Sequence, residues 1–109
     1  MEIQKEKCTP CEKGGSPMPG DEARKLAQQV PQWSLQDKQI ERQFKFKDFV
    51  QAIGFVNRVA EVAEEQGHHP DIAISYSRVR LTLSTHAVGG LTRNDFILAA
   101  RIDKLAEEY

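Results

Sequence analysis

All three histidines of this 109-residue chain fall within one short segment: His68 and His69 in the run Gly67-His68-His69-Pro70, and His86 further on. Imidazole is the side chain whose ordinary pKa, about 6.5, lets it give or take a proton near neutral pH with little help. Three of them together point to proton transfer or to metal binding. Glu64 stands one helical turn before the pair, and Ser84, Thr85 and Asp95 supply further hydrogen-bonding groups around and beyond His86. The pattern is neither His-Glu-x-x-His nor a cysteine-rich zinc signature, so a metal is possible but unforced by spacing. The plainer alternative is that His68 or His69 caps a helix end and His86 merely closes a strand.

The elements that position these residues decide between the two. Asp48 reads as the N-cap of the longest helix, whose apolar stripe is Phe49, Ala52, Ile53, Val56, Val59, Ala60 and Ala63, widened by Phe55 and Val62. Gly67 suits a left-handed residue after the last turn, and Pro70 keeps the helix from resuming. The histidine pair therefore sits where a helix stops and a strand begins. Ile72, Ile74 and Tyr76 alternate with smaller or polar residues, as do Val79, Leu81 and Leu83 with Arg78, Arg80 and Thr82, which predicts two half-buried strands joined tightly at Tyr76-Ser77. Antiparallel pairing sets the start of one beside the end of the other, bringing His68 and His69 near His86. That convergence favours a site.

Ahead of this unit, Asp21 is expected to cap a short helix ended by Pro31, and Trp33 to Phe46 alternate as a hairpin turning at Asp37-Lys38, with Arg42 interrupting the apolar side. After it, Gly89-Gly90 allows a turn, Thr92 caps a final helix, and Asp95 falls at the capping-box position, a role that competes with any role in the site. The order helix, two strands, helix, two strands, helix gives an α+β fold: a four-stranded antiparallel sheet with helices packed on one face. The broad apolar band of the long helix and the open sheet edges predict a homodimer or homotetramer.

Length allows one domain. Residues 1–20 hold three of the five prolines and three of the seven glycines and read as a flexible lead-in to a single domain over 21–109. Cys8 and Cys11 lie in that lead-in without a second cysteine pair, and are expected to be dispensable for activity and stability. A net charge of -1, from 15 basic and 16 acidic residues, offers no positive field for a nucleic acid partner. With no apolar run near the roughly 20 residues that span a bilayer and a charged start unlike a signal peptide, the expected location is cytoplasmic and off the membrane.

Glu64, three residues, His68-His69-Pro70, five residues, Tyr76, nine residues, His86, eight residues and Asp95 resembles the signature of the pterin-4a-carbinolamine dehydratases. Phe44-Lys45-Phe46-Lys47-Asp48-Phe49, Gly54-Phe55 with Arg58-Val59-Ala60, Leu81 to His86 and Gly90-Leu91-Thr92 are similar to that family as well, over about Asp21 to the C-terminus. The resemblance implies a hydro-lyase without cofactor or metal, removing water from 4a-hydroxytetrahydrobiopterin to give quinonoid dihydropterin. This is the recycling step that follows an aromatic amino acid hydroxylase. It implies His68 and His86 as the acid/base pair, His69 holding the pterin, and Glu64, Ser84, Thr85 and Asp95 as substrate-binding groups. It also implies tetramers formed from sheet-extended dimers. Gly67, Ile72 and the placement of Arg93 depart from animal relatives, and bear on pterin affinity. Two further readings stand beside it: a protein-binding or dimerisation-cofactor module, known as a second role in animal members, and a histidine-based metal-binding protein.

Overall fold

Helix initiation at Asp48 and termination at Gly67 set the position of everything else, in a computed structural model that describes residues 3–8 and 16–109. Asp48 Oδ1 accepts from the Gln51 N–H at 2.8 Å, which satisfies one free donor of the first turn, and Gln51 Oε1 accepts from the N–H of Lys47, just before the cap, at 2.8 Å. Helix α2 then runs Phe49–Gln66. At its end Gly67 takes φ 65, its N–H reaches the Glu64 carbonyl, and the His68 N–H reaches back to the Ala63 carbonyl. This pairing is the left-handed C-cap that glycine favours. It fixes the backbone of His68 to the helix end.

The buried residues of α2 are Ala52, Phe55, Val59 and Ala63. Phe55, read above as an addition to the stripe, lies at its centre, tilted against Phe44 and Phe46 at 4.9 and 4.8 Å between ring centroids. Phe49 and Val50 face outward instead. A helix apolar around much of its circumference does not reveal from sequence which arc meets the sheet.

Strands β1 (Ser34–Gln36), β2 (Gln39–Lys45), β3 (Asp71–Ser75) and β4 (Arg78–Leu83) pair antiparallel throughout, in the order β1-β2-β4-β3. The α+β arrangement read from the sequence is the one found. The register Ile40↔Leu83, Arg42↔Leu81, Phe44↔Val79 puts the apolar residues of the two central strands on one face, where all but Arg42 are buried. Arg42, the interruption on that face, lays its guanidinium 4.2 Å from the centre of the Phe44 ring and donates to Asp103 Oδ1 at 2.6 Å. Trp33 Nε1 donates to the same oxygen at 2.8 Å. Burial raises the Asp103 carboxyl above its ordinary value, and these two hydrogen bonds oppose that rise.

Edge strand β3 departs from expectation. Every residue in it is exposed, with Ile72 and Ile74 each 40% accessible although they sit on the same sheet face as Leu81 and Val79. The alternation was a true strand signal, but the helices do not extend over this edge. The turn at Tyr76-Ser77 is as expected, with Tyr76 at φ 53.

Two further differences concern the N-terminal side. Helix α1 spans Gly20–Ala27 with Pro19, not Asp21, at the N-cap, so Asp21 acts from the first turn without a capping bond. Residues 3–8, part of the stretch read as a flexible lead-in, are packed: a 3₁₀ turn at Ile3–Lys5 puts Ile3 into the core at 2% exposure. A lone apolar residue among charges carries no periodic signal, which is why the sequence did not disclose it. Cys11 lies outside the described residues.

Helix α3 (Arg93–Ala106) supplies the rest of the core, with Phe96, Leu98, Ala99 and Ile102 fully buried. The loop before it approaches residues 16–19 closely: Met18 N–H donates to the Leu91 carbonyl at 2.8 Å, and a Cβ on Gly90 would lie 2.8 Å from Pro17 Cβ. Among the described residues no helix is long and apolar enough to cross a membrane.

Candidate active site

The end of α2, the residues after β4 and the start of α3 meet around a cavity of about 550 Å³. Glu64, His68 and His69 come to it from the helix end, Ser84, Thr85 and His86 from beyond the strand, and Asn94 from α3. All three histidines therefore share one wall system, as the antiparallel pairing of the last two strands required. Asp71 pairs with Thr82, so the two chain ends that carry the histidines lie side by side.

His68 points inward. Its Nε2 lies 2.6 Å from Asp95 Oδ1, and its side chain is 11% exposed while that of Asp95 is completely buried. The other carboxylate oxygen, Oδ2, accepts from the Thr92 N–H at 3.0 Å and from Thr85 Oγ1 at 2.9 Å. Thr85 Oγ1 is also 2.8 Å from Thr92 Oγ1. A carboxylate in this setting needs both oxygens satisfied, since an unpaired buried charge is strongly unfavourable. The first turn of α3 adds its positive dipole end. Because Oδ2 is already served by two donors, the proton between Oδ1 and His68 belongs on Nε2. That assignment leaves Nδ1 as the ring nitrogen available to a ligand, and it follows from the hydrogen-bond network.

Asp95 is thus in the capping box and tied to a histidine at once. The two roles that seemed to compete use different oxygens. It does not line the cavity but stands behind His68, so its contact with any ligand runs through the imidazole. Thr85 is on the wall, yet its hydroxyl is directed to Asp95 and Thr92. Ser84 likewise lines the cavity while its hydroxyl donates to the Lys38 carbonyl at 2.7 Å. Both hydroxyls hold the frame.

His69 turns the other way, as adjacent residues must, and its Nε2 pairs with Glu64 Oε2 at the cavity mouth, where both side chains are exposed. His86 opens a 3₁₀ turn at His86–Val88 rather than ending the strand, and its side chain makes no hydrogen bond among the described residues. Two imidazoles, one held by a buried carboxylate and one exposed, therefore face a common space. Such an arrangement can accept a proton at one point of a bound molecule and deliver one at another. Among the described residues no three His, Cys, Asp or Glu side chains are grouped to hold a metal ion.

Gln66 and Asn94 line the cavity without having carried a sequence signal, and Cys8, read from the sequence as a dispensable thiol of the lead-in, lines it too. Gln66 and Asn94 are a helix's last residue and another's second, unremarkable in pattern, and Cys8 is 58 residues from the Gln66 side chain that it meets.

With this geometry in hand, comparison with known proteins is specific. The profile of the family described as Pterin 4 alpha carbinolamine dehydratase matches residues 16–105. A protein of Rubrobacter xylanophilus named "Putative pterin-4-alpha-carbinolamine dehydratase" is 45% identical over 105 residues, covering 95% of this chain and 98% of its own. One of the same name from Halorhodospira halophila is 46% identical over 107 residues, covering 96% and 98%. Among solved structures, a transcriptional coactivator/pterin dehydratase from Brucella melitensis superposes with a TM-score of 0.79 at 33% identity, covering 84% of this chain and 99% of that one. A pterin dehydratase-like protein identified as a RuBisCO assembly factor in the alpha-carboxysome is more distant, with a TM-score of 0.57 at 27% identity over 68% of this chain and 86% of that one.

Proposed function

The chain belongs to the pterin-4a-carbinolamine dehydratase family, and on that premise we propose that it is a hydro-lyase removing water from 4a-hydroxytetrahydrobiopterin to give quinonoid dihydropterin. The observation that carries this reading is the pairing of His68 with the buried Asp95 in one cavity with an exposed His86. The reaction breaks the C4a–O bond and forms a C4a=N5 double bond. His68, with Nε2–H given to Asp95, takes the N5 proton on Nδ1, and the electron pair of the N5–H bond becomes the new double bond. His86 gives a proton to the departing oxygen, which leaves as water. Exchange with solvent then returns both imidazoles to their starting states. No redox step occurs, so the balance needs no cofactor.

His69 and Glu64, paired at the mouth, are placed to hold the pterin, while Asp95, Thr85 and Ser84 act as positioning residues. The physiological setting is recycling of the pterin oxidised by an aromatic amino acid hydroxylase. Spectrophotometric assay of carbinolamine dehydration by the purified chain tests the reading. Activity abolished by a chelator would favour the metal alternative instead.

The exposed β3 edge supports a second element of the proposal, assembly into a homodimer that continues the sheet, and into a tetramer through the helices. Ile72, Ile74 and Tyr76 are 40%, 40% and 69% accessible on a strand that, among the described residues, has no neighbour on its outer edge. Light scattering at micromolar concentration is expected to give at least twice 12.3 kDa, and Ile74→Lys to lower that mass. A wild-type monomer would contradict it. The coactivator and assembly-factor names of the two structural relatives make a protein-binding role the runner-up, which the same edge could serve.

A further inference from the structure

The segment 3–8 is attached beside the cavity, with Cys8 on its wall. Cys8 N–H donates to Gln66 Oε1 at 2.9 Å, at the end of α2, and Cys8 Sγ lies 3.6 Å from the Asn94 carbonyl, at the start of α3. Cys8, Gln66 and Asn94 all line the cavity. The segment thus bridges the two helix ends that carry the histidines and Asp95.

Its hold is built from three different anchors on α3. Ile3 is buried at 2% exposure. Arg93 clasps Glu6 in a two-bond fork, Nε to Oε1 and Nη2 to Oε2, both 2.7 Å. Arg101, two turns further on, donates to the Glu6 carbonyl from Nε at 3.1 Å and from Nη2 at 2.5 Å. Forked charge-assisted bonds of this kind fix orientation as well as position. A hydrogen bond from Arg93 holds the Glu6 carboxyl below its ordinary range against slight desolvation, so the pair is intact at neutral pH and is lost only as pH falls through that lowered value. Arg93 opens α3, so the clasp fastens the segment to the helix end beside the cavity. The segment also lies ahead of the span that matches the family profile, residues 16–105.

We infer that residues 3–8 form a wall of the substrate cavity and set its affinity for the pterin, with Cys8 as the residue facing the ligand and Glu6–Arg93 as the clasp that keeps it there. The inference rests on the dehydratase reading for the identity of the ligand. It makes the segment a specificity determinant and gives it no part in the chemistry, so its loss is expected in KM and Kd with kcat retained.

Glu6→Arg sets like charges against each other at the clasp. It is expected to raise the Kd for 7,8-dihydrobiopterin, a reduced pterin without the 4a-hydroxyl, by about tenfold, and KM with it, while kcat stays within about twofold. The exchanged pair Glu6→Arg with Arg93→Glu is expected to recover most of the affinity. Cys8→Phe, which leaves the Ile3, Arg93 and Arg101 contacts on α3 in place, is expected to raise Kd by adding bulk to the wall. An unchanged Kd in either Glu6→Arg or Cys8→Phe, or a fall in kcat at unchanged Kd, would overturn the inference. A wild type that binds the pterin without turning over the carbinolamine would defeat the dehydratase reading and leave the Kd comparison to decide this one. A wild type that binds no pterin would defeat both.

Discussion

Replacing His68 by alanine is expected to lower kcat by about a hundredfold or more, and His86→Ala by a comparable factor, the loss typical of a positioned acid or base. The two should differ in what accompanies the loss. His68 is nearly buried and is the partner of a buried carboxylate, so its removal leaves Asp95 with one oxygen unserved and lowers the melting temperature as well. His86 is exposed and without an intramolecular hydrogen bond among the described residues, so its removal should be thermally silent. His69→Ala, by contrast, should raise KM more than it lowers kcat, because its imidazole pairs with Glu64 at the mouth. Steady-state kinetics and thermal melts of the three variants check this. Wild-type kcat in both His68→Ala and His86→Ala would remove the acid/base assignment.

Asp95→Asn is expected to be nearly as damaging, about a hundredfold in kcat, though it preserves shape. Oδ2 of Asp95 accepts from Thr92 N–H and Thr85 Oγ1, so an asparagine must turn its carbonyl oxygen that way and its NH₂ toward His68. His68 Nε2 then has to accept, and the ring proton moves to Nδ1. The nitrogen that should take the N5 proton becomes a donor. Nitrogen NMR of the His68 ring distinguishes this from simple loss of stability: protonated Nε2 is expected in the wild type and protonated Nδ1 in the variant. An Asp95→Asn protein with unchanged tautomer and full kcat would show that Asp95 serves only as a helix cap.

Much of this geometry could be read from local pattern. The Asp48 cap, the Gly67 terminus and the alternation through Val79, Leu81 and Leu83 are properties of neighbouring residues, and the α+β order follows from them. Convergence of His68, His69 and His86 on one cavity followed from the antiparallel pairing of β3 and β4. What could not be read depended on contacts between distant residues. The Thr92–Asp95 spacing announced a capping box, but nothing local said that the other oxygen would meet His68, 27 residues away. The placing of Phe55 rather than Phe49 against the sheet depends on which arc of an almost encircling apolar surface β2 and β4 present. Ile3 and Glu6 have no pattern at all. Their places are set by a slot on α3 and by Arg93, 87 residues further on.

The central claim is that this cavity expels water from a 4a-carbinolamine by imidazole acid/base chemistry. The most direct measurement is the rate of quinonoid dihydropterin formation from freshly generated 4a-hydroxytetrahydrobiopterin, with wild-type protein and with a His68→Ala/His86→Ala double variant, in the presence of a chelator. The account predicts saturable acceleration over the spontaneous reaction by the wild type, unaffected by the chelator, and a rate with the double variant close to spontaneous. A wild-type rate equal to the spontaneous one, or acceleration that survives loss of both histidines, would contradict it.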